Sequence, residues 1–162
     1  MIEAMIRELE REAKTTGRVL ERVPDDRLSW RPHPKSTPVG NLAWHIALLP
    51  WRIATMITRE GTVDVTRIAA EPMPGSSQEM LAAFQRHVAF AKEKLGKLTD
   101  DQLGQELAMA RGEVTMVKLP KVDFIRTVLL NHMVHHRGQL SVYLRLLEIP
   151  VPAIYGPTAD ES

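Results

Sequence analysis

The sequence predicts an all-α fold, a four-helix bundle, and three observations predict it. Four segments carry apolar residues at alternating steps of three and four, the period of a helix that buries one face. Capping residues and prolines bracket those segments. The chain has 162 residues, 44% of them hydrophobic and 25% charged, the balance of one globular domain (1–162) able to bury a real core.

The first segment, about residues 2–22, places Ile2, Ile6, Leu9, Ala13, Thr16, Leu20 and Val23 in one stripe. Residues 24–36 follow as a compact irregular link rich in proline, with Pro24, Pro32 and Pro34. The second segment, about 38–59, aligns Leu42, His45, Leu49, Ile53 and Met56. Thr37 and Pro38 read as its N-cap and first helical residue. Pro50 falls inside it, which predicts a kink or a break into two pieces.

Residues 60–77 form a longer loop. The third segment, about 78–97, aligns Leu81, Phe84, Val88, Ala91, Leu95 and Leu98. Ser76-Ser77-Gln78-Glu79 reads as the capping box that opens it. Gly96 and Thr99 close it, and Thr99–Gln102 suit a short extra turn. Between 105 and 118 helical spacing is lost, and Arg111-Gly112 suit the turn of a small β-hairpin. Pro120 introduces the fourth segment, about 121–148, which aligns Ile125, Leu129, His132, His136, Leu140, Tyr143 and Leu147. Pro150 and Pro152 end it.

Composition excludes several function classes. The net charge is +1 with no long basic run, so nucleic acid has no electrostatic footprint. No apolar stretch reaches the ~18 residues of a membrane span. The opening MIEAMIRELERE is charged and amphipathic, unlike a signal peptide. There is no cysteine, so disulfides and thiolate ligands are absent and a soft-metal site must use histidine. A cytoplasmic location is the expectation.

Chemistry concentrates on three of the six histidines. At roughly 100° per residue, His136 lies about 40° from His132 on one helix face. His45 holds a stripe position between Leu42 and Leu49. His135 lies at the stripe's edge, His87 flanks its own stripe, and His33 sits in the proline-rich link. An H-x3-H pair with a third imidazole from another helix makes a three-histidine metal site with a position left open, the arrangement of catalytic zinc. The competing reading is three core histidines, each hydrogen-bonded separately. Leaving each unpaired would cost roughly 1–3 kcal/mol, and one shared ion satisfies all three at once.

The strings LAWHIALLPWR around His45 and NHMVHHRGQL around His136, with the closing IYGPTADE, resemble the DinB-like (YfiT-type) family over nearly the whole chain. The resemblance implies a bundle with up-down-down-up connectivity, a homodimer, and metal ligands at His45, His132 and His136. It implies one divalent ion per chain, zinc or nickel foremost. Some relatives are transferases or isomerases using low-molecular-weight thiols such as bacillithiol or mycothiol, which makes a small-molecule substrate and a thiol partner the expectation.

No catalytic residue is assigned. His132-Met133-Val134-His135-His136 has the histidine spacing of the zinc-protease motif, but Met133 stands where that motif needs its glutamate. None of the four stripes contains a carboxylate, so a base must come from a loop, with Asp25, Asp26, Glu71 and Glu113 as candidates. A thiol, with pKa about 8.5, needs less activation by a metal than water does. That favours a thiol transferase over a metal-dependent hydrolase. A non-catalytic metal-binding or stress-response interaction module is the alternative.

The surrounding residues carry weaker signals. Gln139 can orient His136 from behind or serve as a partly exposed interhelical bond. Arg52 can receive a substrate carboxylate or snorkel outward. Trp44, Trp51 and Tyr143 are expected to pack the core, and Tyr155 to anchor the tail or cover the site's mouth. His135 and Arg137 are expected to face solvent or a partner subunit.

Overall fold

Four long helices and a small sheet make up the computed structural model, which describes residues 1–69 and 71–161. Helix α1 (Ile2–Leu20) buries Met5, Leu9, Thr16, Val19 and Leu20 and turns its charged side outward. A 3-10 turn at Asp25–Arg27 leads to α2 (Val39–Ile57). Pro38 is the extended residue before that helix rather than its first helical one, and no side chain caps it.

Pro50 does not break α2. Fourteen of the nineteen residues of α2 are buried, Pro50 among them. Burial of apolar side chains at roughly 1.5–3 kcal/mol each easily offsets the ~3 kcal/mol of an interior proline.

Helix α3 (Ser77–Leu95) opens on Ser76, whose hydroxyl accepts the Glu79 amide as the capping box requires. The expected extra turn is α4 (Asp100–Gly104), with Thr99 and Gln102 capping each other reciprocally. The expected hairpin is β2 (Glu106–Arg111) and β3 (Val114–Pro120), turning at Gly112 with φ +59. Unforeseen is β1 (Gly61–Asp64) in the long loop, which pairs parallel with β2. The Asp64 carboxylate accepts the Gly112 amide at 3.2 Å and the Thr66 amide at 2.9 Å, tying the hairpin turn to β1.

The last helix begins as α5 (Lys121–Phe124), passes through a π-helical stretch at Ile125–Asn131, and continues as α6 (His132–Leu146). A π turn takes one more residue per hydrogen-bonded loop than an α turn. The buried stripe therefore moves one position later. Met133, Arg137 and Leu144 point inward where unbroken α spacing would have placed His132, His136 and Tyr143, while Leu140 is buried as anticipated.

Named contacts fix the helix directions. Glu10 pairs with Lys92 and Gly17 packs on Leu81, so α1 and α3 are antiparallel. Asp25 accepts the Ser77 amide while Leu28 accepts the Gly40 amide, so α2 and α3 start at one end and run parallel. Glu8 pairs with Arg126 and Glu12 with Arg137, so the last helix runs with α1. The connectivity is up-down-down-up. Around the bundle, α2 lies between α3 and the last helix, which places His45 beside α6.

Candidate metal centre

Half-buried His45 projects from a mostly buried helix toward His132 and His136, themselves half-buried at the edge of the α6 stripe. The expectation that all three point into the core is corrected by the π stretch, which rotates the α6 pair outward by about one residue's turn, roughly 100°. The outcome suits chemistry better than full burial would, since solvent and small molecules reach the rings.

The three rings converge. Their centroids are 5.2 Å apart for His45 and His132, 4.7 Å for His45 and His136, and 4.5 Å for His132 and His136. One nitrogen from each lies within 4.8 Å of the others, close enough to hold a metal ion. Two of the rings are also held from behind. Nδ1 of His136 donates to Oε1 of Gln139 at 2.7 Å, and the His132 ring donates to the Val128 carbonyl. The Nε2 atoms of His132 and His136 lie 2.7 Å apart, near enough to share one ion or one proton. The donor set fits a divalent ion that accepts imidazole.

Electrostatics keep the rings in the ligating form. Burial, then the neighbouring His136, His132 and Arg52 charges, push His45 down to about 4. Burial likewise lowers His132 and His136, with the hydrogen bonds to Val128 and Gln139 opposing part of the effect. The folded protein therefore holds fewer protons than the unfolded chain, whose histidines titrate near 6.5. Stability conferred by these neutral rings is full above about 6.5 and declines as pH falls toward about 4, where His45 itself takes a proton. The unfolding midpoint of metal-free protein should fall on acidification through that window, and replacing all three rings with leucine (H45L/H132L/H136L) should flatten the fall.

The other sequence candidates lie elsewhere. His87 is 4% exposed rather than merely flanking its stripe. It bonds the Ala47 carbonyl at 2.8 Å and lies 3.4 Å from Glu71, bracing α3 on α2. Trp44 is buried beside it and donates to the Glu71 carbonyl at 3.2 Å; Trp51 and Tyr143 are half-buried. His135 is exposed, as expected, and His33 accepts the Lys35 amide. Asp25 caps α3 and Asp26 pairs with Arg27. Glu113 sits exposed on the hairpin turn. Among the described residues, no carboxylate joins the three histidines.

Arg137 overturns its expectation. It is 1% exposed, not solvent-facing. Its guanidinium meets Glu12 at 2.7 Å, Thr16 at 3.3 Å and the Tyr155 hydroxyl at 2.7 Å. Tyr155 thus ties the tail to the bundle through its hydroxyl, which also donates to Glu12, while its ring stays exposed. The sequence signal was present in Glu12 and Thr16, four apart on α1, but only the π stretch reveals that residue 137 faces them.

Beside His45 and His132 opens a cavity of about 170 Å³, walled by Leu49, Ile53, Met56 and Val65 with Arg52 and Arg111. It lies between α2, the last helix and the sheet.

Comparison with known proteins agrees with this fold. The DinB family model matches residues 1–162. The uncharacterized protein YrdA of Bacillus subtilis (strain 168) is 27% identical over 169 residues, spanning 99% of this chain and 91% of that protein. The crystal structure of a DinB-like protein from Bacillus cereus ATCC 10987 superposes with TM-score 0.72 at 25% identity, covering 94% of this chain and 97% of the other. YfiT from Bacillus subtilis, described as a probable metal-dependent hydrolase with an unusual four-helix bundle topology, superposes with TM-score 0.67 at 16% identity, covering 91% and 87%.

Proposed function

The chain belongs to the DinB family, and from that membership we propose that it is a metal-dependent enzyme whose divalent ion is held by His45, His132 and His136. The observation that carries this reading is the convergence of three imidazoles, one nitrogen of each within 4.8 Å of the others. Imidazole donors suit zinc and nickel. When bound, such an ion acts as a Lewis acid and lowers the pKa of a coordinated water or thiol.

The protein's own groups supply the rest. Gln139 and the Val128 carbonyl orient two of the ligands, and the Leu49, Ile53 and Met56 side chains give the adjoining cavity an apolar wall. No acidic side chain lines that cavity, so a nucleophile there finds no carboxylate base. A thiol, starting from a pKa of about 8.5, loses its proton with less help than water. The finer proposal is therefore transfer of a low-molecular-weight thiol to an electrophilic small molecule: the carbon–sulfur bond forms as that carbon's bond to a halide or to an epoxide oxygen breaks, and the thiol proton passes to solvent or, in the epoxide case, ends on the freed oxygen. Hydrolysis is the second reading, favoured by the likeness in fold to YfiT.

Metal-loaded protein incubated with a small thiol and an aryl halide or epoxide, and separately with an ester panel, tests both. Conjugate that forms only with metal and only in the thiol arm supports the transferase. Ester cleavage alone moves the assignment to a hydrolase. Neither product across broad panels would reduce the protein to a metal-binding module.

A further inference from the structure

The walls of the cavity beside His45 and His132 say what kind of molecule it admits. At about 170 Å³ it is slightly larger than the ~150 Å³ apolar cavity that accommodates a benzene molecule. Leucine, isoleucine, valine and methionine make most of its surface, so its occupant carries an apolar group of that size.

The polar part of the wall is of one sign. Arg52 and Arg111 both line the cavity, and not one of its eleven lining residues is acidic. Half of the fourteen arginines meet a carboxylate, Arg18, Arg126, Arg137 and Arg145 among them, and those that do not include Arg52 and Arg111 together with Arg11, Arg59 and Arg86, which line no part of this cavity. Among the described residues neither Arg52 nor Arg111 forms an ion pair or a side-chain hydrogen bond. Arg52 is half-buried, so its charge sits partly out of water against apolar neighbours. The two residues line the cavity from different elements, α2 and the end of β2, Arg52 half-buried and Arg111 exposed at its edge, and thus approach an occupant from two sides. A guanidinium presents a planar fork of donors matched to a carboxylate or phosphate.

We propose that this cavity binds a small molecule made of an apolar, ring-sized group bearing an oxyanion, with Arg52 and Arg111 as the anion-recognising residues. The proposal rests on the functional reading above only in taking the occupant as the substrate; the recognition itself is a property of the cavity walls. It also gives Arg52 its role: of the two readings the sequence allows, the carboxylate-receiving one follows, and the outward snorkel does not.

The experiment measures binding of phenylacetate, phenyl phosphate and uncharged phenylacetamide by calorimetry to metal-loaded protein, to R52Q/R111Q and to H136A. Metal content and helical circular dichroism are recorded on the same samples. The expected result is at least a tenfold preference for one of the anions over the amide, lost in R52Q/R111Q and kept in H136A. Which anion wins identifies the carboxylate or phosphate class. Equal binding of all three probes overturns the proposal. So does a preference that survives R52Q/R111Q but disappears in H136A, since the anion would then be a metal ligand. A missing metal in the parent protein counts against the proposed function, and leaves the anion preference to be decided by the arginine variant alone.

Discussion

Alanine at position 136 is expected to remove the proposed metal ion from the protein and leave its fold standing. His136 supplies one of three converging nitrogens, and its Nε2 faces that of His132 at 2.7 Å. Without it two imidazoles remain, from two different helices, and the affinity of such a pair falls by more than the 10–100-fold typical of losing a ligand's supporting hydrogen bond. Gln139→Ala should show that smaller loss, because it frees the His136 ring without removing it. Thermal unfolding separates the two variants from a folding defect. Metal at a hundred times its Kd stabilises the parent by about 2.7 kcal/mol, or roughly 5–10 °C in a chain of this size. The H136A midpoint should stay near that of the metal-free parent and respond to added metal by less than about 1 °C. A full parental response would remove His136 from the ligand set.

The largest effect on stability is expected at Arg137. Arg137→Ala leaves the Glu12 carboxylate, only 14% exposed, beside an empty space and takes a donor from Thr16 and Tyr155. Breaking a buried pair by removing one partner costs about 3–5 kcal/mol. In a chain of this length that lowers the midpoint by roughly 6–20 °C. Arg7→Ala is the matched control. Its pair with Glu3 is 62% and 86% exposed, and such surface pairs contribute ~0–1 kcal/mol. Calorimetry on the two variants should give a large difference between them, and equal midpoints would mean that the buried network adds no stability.

Much of the bundle was legible because helix-forming information is local. The caps at Ser76 and Thr99, the stop at Pro150 and the loss of helical period after Gln105 all act within a few residues, and all are present in the structure. Likewise, His45, His132 and His136 stand out by spacing and type before any coordinates exist. What the sequence concealed depends on tertiary contact. Strand β1 is four residues long and is defined by its pairing with β2, over forty positions away. The π stretch carries no residue signature, yet it moves Arg137 into the core and His132 and His136 to its edge. His87 is buried beside Phe84, Ala91 and Leu95 of the anticipated stripe, because the buried face of α3 also takes in Met80 and Ala83 and the Ala47 carbonyl meets its ring. The unpaired state of Arg52 and Arg111 is invisible until every carboxylate has been placed.

The shared aim of three rings is most directly tested by anomalous diffraction from crystals of metal-loaded protein. One peak lying about 2.0–2.1 Å from a nitrogen of each of His45, His132 and His136 is the predicted result. Density that leaves the three rings apart, each engaged by its own protein partner, or an ion lodged at another group of side chains, would contradict the account.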